Sequence, residues 1–381
     1  MNIHQVPDKP TPKIEDAGKV VIVHEPLTHE YGPNKVAILL AEELRRKGFN
    51  VYIVGQECSE RIGKKLSAMD IGFIKIGRRR CLTCKREEKA FETWLRDNLF
   101  PYSLKELNEL LNGGIVINTS TMLAFPSTFW YAQGPVSQCL NSIIMECPAH
   151  YRLICFTLKP LISIAEKSFL SRIINSVRLM VANSKYCASL YEAFGLKIHR
   201  VIYPPLDGDV FRPTTPRPSA DYVLTYFGKE TLWATIKSIA DKGVKIKAFG
   251  GKAETIPKAL INHGNIEHVG WVSDGKLADL YSNALLTLFT YSHEPFGYVP
   301  VESMACGTPV LTLQGQGPAE SVVHEHTGWL CKSKSEIVRY TLKIWRDGYP
   351  SHIRTMCRER SMAFDRRRVT EEWLELFRYV V

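Results

Sequence analysis

Short runs of β-branched residues alternate along this chain with stretches whose apolar positions recur every three or four residues. Residues 19–23, Lys-Val-Val-Ile-Val, read as a buried strand. Val36, Leu39, Leu40 and Leu44 then form the face of a helix that Gly48 closes, and Val51-Tyr52-Ile53-Val54 is a second strand. Strand, helix and strand at that spacing make a βαβ unit, which requires a parallel sheet. Residues 114–118 and 128–132 read as further strands, the latter ending at Gln133-Gly134-Pro135. Residues 178–182 are the next strand, with Asn183 or Ser184 capping a helix through Leu190 to Phe194 that ends at Gly195.

Proline and glycine crowd residues 208–219, which marks the best domain boundary, and the α/β rhythm then restarts. Strands are expected at 222–227, ending in Gly228-Lys229-Glu230, and at 245–249, ending in Gly250-Gly251. Two more are expected at 266–269 and 285–290. Residues 293–310 follow as a loop, a short helix with Pro300 at its first position, and a stop at Gly307 before the strand Val310-Leu311-Thr312-Leu313. Pro318-Ala319-Glu320, after the glycine loop Gly315-Gln316-Gly317, repeats the pattern of Pro300-Val301-Glu302. Trp373, Leu374, Leu376 and Phe377 give an apolar-faced terminal helix. The fold class is α/β, with two doubly wound parallel sheets. The expected organisation is an arm at 1–18, a first domain at 19–205 and a second at 206–364.

Composition narrows the class. Of 381 residues, 45% are hydrophobic and 23% charged, as in globular chains. No apolar run approaches the roughly 18 residues of a membrane-spanning helix. The polar N-terminus lacks the apolar core of a signal peptide, so a cytoplasmic protein is expected. Lys and Arg outnumber Asp and Glu by 27 to 19 over residues 1–200 but only 22 to 20 thereafter. That bias suits an anionic membrane surface or a phosphorylated acceptor; the aromatic-and-basic signature of a nucleic-acid module is absent, so nucleic acid is not an expected partner. The basic run 78–89 is either a solvated face or a contact for phosphate. Residues 159–178 interleave apolar and basic side chains, and such a helix can pack on the core or lie in a membrane interface. Of ten cysteines, Cys81 and Cys84 alone stand at ligand spacing; without a partner pair they are a local disulfide or free thiols, and no metal is expected.

Candidate chemistry converges on 293–310. Glu294 falls on the loop and Glu302 in the first helical turn, facing a space where backbone N–H groups and the positive end of the helix also point. That setting suits an anionic, hydroxyl-rich ligand. The alternative is a helix-complementing Glu302 and a solvated Glu294.

Together these residues resemble glycosyltransferase family 4, retaining enzymes of the GT-B fold, nearest in flavour to lipid-linked oligosaccharide mannosyltransferases. The resemblance rests on Glu294-x7-Glu302 with Gly307-Thr308-Pro309-Val310, on Val269-Gly270-Trp271-Val272-Ser273-Asp274 before it, on Glu320 and Thr327-Gly328-Trp329-Leu330 after it, and on Ala182-Asn183-Ser184 and Tyr203-Pro204-Pro205-Leu206-Asp207. It implies Rossmann-like domains facing a cleft, the terminal helix (about 365–381) returning to the first. It also implies a nucleotide-sugar donor on the second domain, a glycan or lipid-linked acceptor on the first, and no cofactor. Glu294 would then bond the donor sugar's hydroxyls and Glu302 the ribose. Gly228, Phe296, Gly297, Tyr298, Val299 and Glu320 would line the donor, and Gly32 and Asn183 the acceptor side. The family pattern of two cations on the diphosphate is incomplete: Lys229 is the candidate for the first and Lys252 a weak one for the second. Gln133 stands where a histidine is common, and an amide cannot act as a base. A non-catalytic nucleotide-sugar binder and a soluble disaccharide synthase are the rival readings.

Overall fold

The first sheet is built from β1 (Lys19–Val23), β2 (Asn50–Gly55), β3 (Gly72–Lys75), β4 (Gly114–Asn118), β5 (Ser127–Ala132), β6 (Val177–Ala182) and β7 (Arg200–Val201). Its spatial order is β3-β2-β1-β4-β5-β6-β7, every pair parallel. The second sheet holds β8 (Val223–Phe227), β9 (Ile246–Gly250), β10 (Ile266–Gly270), β11 (Leu286–Phe289), β12 (Val310–Leu313) and β13 (Gly328–Cys331), ordered β10-β9-β8-β11-β12-β13 and again all parallel. Central strands of such sheets are covered on both faces, which is why Val20, Val21, Ile22 and Val23 are a continuous apolar run with no exposure. This computed structural model describes residues 18–30, 32–76, 94, 98, 114–138, 140, 149–228, 230–251 and 256–380. The N-terminal arm to residue 17, the basic run 78–89 with Cys81 and Cys84, Lys229 and Lys252 lie outside the described residues.

The chain crosses between domains twice. It leaves the first near Leu206 and comes back through Asp365 into the helix Arg366–Phe377, whose Trp373 packs edge-on to Phe129 and Tyr131, with Phe377 stacked on Phe129. The two crossings touch: Leu206 N–H donates to Phe364 O at 2.8 Å, and Arg366 N–H to Leu206 O at 2.9 Å. Beside them the buried Arg366 guanidinium meets Glu42, Glu43, Asp207 and Asp209 at 3.3, 2.9, 3.1 and 2.9 Å.

Two elements differ from expectation. The basic stretch at 159–178 belongs to a longer helix, Ala149–Ser176, and Arg178 is already in β6. That helix buries Ile162, Phe169, Leu170 and Ile173 against the core and leaves Leu161 and Ile174 exposed together with Leu153, Phe156 and Ile164, so it takes part in both of the expected ways of placing its apolar residues. The helix after the Glu294 loop starts at Tyr298, so Pro300 is its third residue and Glu302 lies in its second turn. Gly297 terminates the loop early, at φ 87°, in the region open to glycine.

Candidate active site in the interdomain cleft

Each sheet reverses its strand order next to its first strand, between β1 and β4 and between β8 and β11. Ligands of open parallel sheets bind outside the carboxyl ends at such points. Here the two sets of carboxyl ends face one another across a cavity of about 970 Å³ lined by both domains.

Glu294 follows β11 by a few residues and is held on both sides. Its N–H donates to Gln316 Oε1 at 3.0 Å, its carbonyl accepts from Gly317 N–H at 2.9 Å, and its carboxylate accepts from Phe296 N–H at 3.4 Å. The side chain opens into the cleft beside Gly297, Tyr298 and Val299 at the start of the helix Tyr298–Ala305. A side chain at Gly297 would bring its Cβ to 3.0 Å from Pro318 and 3.4 Å from Glu294 Cγ, so only glycine keeps this corner open. Burial, reinforced by the nearby Glu230 charge, pushes the Glu294 carboxyl up to about 7, against the opposing bonds from Phe296 and Gly297. Phe296 itself faces inward, against Tyr203 and Phe364.

Glu302 is nearly fully buried and is bonded across the cleft to a residue that nothing local in the sequence singles out. Lys35, from the first-domain helix Pro33–Arg46, places Nζ 2.5 Å from Glu302 Oε1 and 3.5 Å from Asp274 Oδ2. Tyr281 OH donates to Glu302 Oε2 at 3.4 Å. Burial pulls the Lys35 ammonium down, but the two carboxylates outweigh it and leave it above its ordinary value.

The first-domain wall includes Gly32, at the start of Lys35's helix, and both Gln133 and Asn183. Gln133 Nε2 donates to Thr119 O at 2.6 Å, and Asn183 Nδ2 reaches Gln133 O at 3.4 Å, while the buried Asn183 Oδ1 has no partner among the described residues. His24, which directly follows β1, is wholly buried: Nδ1 meets Thr119 Oγ1 at 2.8 Å and Nε2 meets Asn34 Oδ1 at 2.9 Å, so it does not replace the histidine missing at Gln133.

Two expected donor contacts are engaged elsewhere. Glu320 is not on the lining of the cleft: its carboxylate accepts from Lys185 N–H at 2.9 Å, Tyr186 N–H at 2.8 Å and Tyr203 OH at 3.0 Å. It caps the first-domain helix Lys185–Glu192 from the second domain. Ser184, just before that helix, donates to Pro295 O at 2.5 Å, and a Cβ on Gly134 would stand 2.5 Å from Pro295 Cγ. The loop carrying Glu294 is therefore braced by the first domain. Gly228 closes β8 and donates its N–H to Thr231 Oγ1 at 2.9 Å.

The second-domain wall is aromatic beyond Glu294. Tyr226, Phe249 and Tyr291, at or just beyond the ends of β8, β9 and β11, surround one another at centroid distances of 5.2 and 5.7 Å from Tyr226, and Trp271 sits 6.1 Å from it with 47% of its surface open. An open indole on a cleft wall is a stacking surface for a planar group. Asp274 begins a helix capped by Ser273. Pattern reading did not assign Lys35, the aromatic wall of Tyr226, Phe249, Trp271 and Tyr291, or Asp274; of these Trp271 and Asp274 carried a signal, through the Gly-Trp-Val-Ser-Asp motif. Among the described residues no group of three or more His, Cys, Asp or Glu side chains could hold a metal ion.

Two parallel-sheet domains of this order, facing one cleft with carboxylates on its second-domain wall, define the GT-B class of glycosyltransferase folds. Residues 241–361 match the family model described as glycosyl transferases group 1. The chain is 30% identical to the alpha-1,3/1,6-mannosyltransferase ALG2 of Mus musculus over 191 residues, 40% of this chain and 46% of the mouse protein. It is 58% identical to the ALG2 of Debaryomyces hansenii over 85 residues, 22% of this chain and 17% of the yeast protein. The matches thus span less than half the length of these curated relatives. Among solved structures, sucrose-phosphate synthase from Thermosynechococcus elongatus superposes with a TM-score of 0.71 at 17% identity, over 95% of this chain and 99% of that one. Anabaena Alr3699/HepE in complex with UDP-glucose gives 0.62 at 16% identity, over 94% and 99%. At these identities the superpositions establish the fold.

Proposed function

We propose that this chain is a retaining glycosyltransferase that moves a hexose from a nucleotide sugar to a glycan or lipid-linked acceptor. The observation that carries the reading is Glu294: a carboxyl group fixed at its backbone on both sides, opening into the cleft beside the N-terminus of the helix Tyr298–Ala305. Glu294 bonds the sugar hydroxyls, and the exposed N–H groups at that helix start receive the diphosphate. As the glycosidic bond breaks, positive charge grows on the sugar and negative charge on the leaving phosphate, and fixed dipoles lower the barrier to that separation. The Gln133 amide cannot take the acceptor's proton; the departing phosphate takes it on the same face, which retains configuration. Trp271 and Tyr226 offer the stacking surface for the base, and Asn183 stands on the first-domain wall that faces the second substrate. The mannosyltransferase relatives favour mannose as the sugar.

Melting curves with UDP-, GDP-, ADP- and dTDP-sugars test this. A true donor at a hundred times its Kd adds about 2.7 kcal/mol of stability, and slow hydrolysis of that donor without acceptor is expected. Occupation of Glu302 by Lys35 favours the rival, a nucleotide-sugar binder without turnover. Tight binding with no hydrolysis or transfer across a donor and acceptor panel would establish the rival.

We also propose that the protein works at the cytoplasmic surface of a membrane. No helix among the described residues is long and apolar enough to cross one. The outward face of Ala149–Ser176 nevertheless combines Leu153, Phe156 and Ile164 with exposed Lys159 and Lys167, as interfacial helices do. Co-sedimentation with anionic vesicles should exceed that with neutral ones at low salt and fall as salt rises; equal sedimentation with both removes the membrane from the reading.

A further inference from the structure

Lys35 belongs to the first domain by sequence and to the donor wall by contact. Its ammonium lies 2.5 Å from Glu302 and 3.5 Å from Asp274, over the rings of Phe211 and Tyr298 at 4.6 and 5.9 Å. Lys35 is 8% and Glu302 3% exposed. The side chain stands between the main cleft and a smaller cavity of about 90 Å³ at the crossing near Asp207 and Phe211. A ribose arriving at Glu302 therefore meets a carboxylate that already holds a cation.

The exchange is unequal for different ligands. Two ribose hydroxyls can satisfy the carboxylate, but the displaced ammonium loses its 2.5 Å partner and is left with Asp274 alone, a half-exposed carboxylate at 3.5 Å. A nucleoside brings no anion to it, whereas a nucleoside diphosphate does. Among the described residues the Lys and Arg side chains lining the cleft are Lys35 and Arg61; Arg61 is highly exposed and already paired with Glu30 at 3.4 Å. The Lys35 ammonium is held beside Tyr298, the first residue of the helix to which the diphosphate is assigned.

We infer that Lys35 is a donor-binding residue that passes from Glu302 to the donor's diphosphate when the ribose takes its place, so that one cation of the clasp comes from the first domain. This rests on the reading of Glu302 as the ribose carboxylate. It makes the ion pair a filter: a ligand carrying both ribose and diphosphate replaces the partner it removes, whereas a nucleoside leaves the ammonium to Asp274 alone.

Titration calorimetry with uridine, guanosine and their 5′-diphosphates tests this on the wild type, Lys35→Gln and Lys35→Arg. Glutamine keeps a hydrogen bond to Glu302 but brings no charge to a phosphate. The preference for diphosphate over nucleoside should fall at least tenfold in Lys35→Gln and stay within threefold in Lys35→Arg. An unchanged preference, or an equal loss for both ligands, overturns the inference. Glu302→Gln gives an independent arm with inorganic diphosphate, which needs the ammonium but not the ribose carboxylate: its affinity should rise at least fivefold over wild type, and an unchanged or lower affinity counts against the exchange. If neither these diphosphates nor ADP and dTDP bind the wild type, the donor reading fails and the inference with it; if one binds and the variants behave alike, only the inference fails.

Discussion

Glu294→Gln is expected to lower the rate of sugar transfer by about 10²–10³, the range for removing one preorganised group that acts on transition-state charge. The fold should be intact, because the Glu294 backbone holds the loop on both sides and a glutamine Oε1 can still accept from Phe296 N–H. Near-wild-type turnover would take Glu294 out of the site. The same variant has a signature in stability. In the unfolded chain the carboxyl titrates near 4.5, and in the folded protein near 7. Between those values the native state holds a proton that the unfolded state has released, so stability contributed by this group is present below pH 4.5 and is lost as pH rises through 7. A glutamine has nothing to lose. The donor-free variant should therefore gain stability relative to wild type on going from pH 4.5 to 8, and melting at both ends of that window measures it.

Arg366→Met is expected to destabilise the protein by about 3–5 kcal/mol, because removing one member of a buried charge cluster strands the others. Glu42 and Glu43, 5% and 3% exposed, would keep Lys65 at 3.1 Å and Arg46 at 2.6 Å but lose the guanidinium that joins them to Asp207 and Asp209. Denaturant melts check the size, and adding Glu43→Gln should recover part of the loss by removing a stranded charge. A loss under about 1 kcal/mol would mean that the cluster behaves as an exposed one.

The sheets were legible because each strand of a doubly covered parallel sheet must be a short apolar run, and β1, β2, β8 and β11 are such runs. Glu294 and Glu302 were legible for a similar reason: a loop, a glycine and a helix start follow one another within a dozen residues. What failed to show was longer in range. Lys35 sits one residue before the apolar face of its helix, and its partner is 267 positions away; nothing local distinguishes it from a solvated lysine. Glu320 copies the Pro-x-Glu pattern of Glu302, but its helix has only four residues and the N–H groups it satisfies belong to another helix in the other domain. Local pattern predicts that a carboxylate seeks an N-terminus, not which one. Arg366 reads as the first of three surface arginines, and only the return of the terminal helix buries it. Leu161 and Ile174 have the right spacing for a core face but point outward, since a helix that is apolar on two sides does not declare which side is covered.

The paired crossings have a mechanical consequence. One tether between two bodies leaves them free to bend, swing and twist; two tethers bonded side by side resist twisting and swinging and leave bending about the line through them. With Leu206 linked to Phe364 and Arg366, the domains are built as a book on a spine. Lys35 and Glu302 are then marks on facing pages, and opening the cleft parts them along a single path.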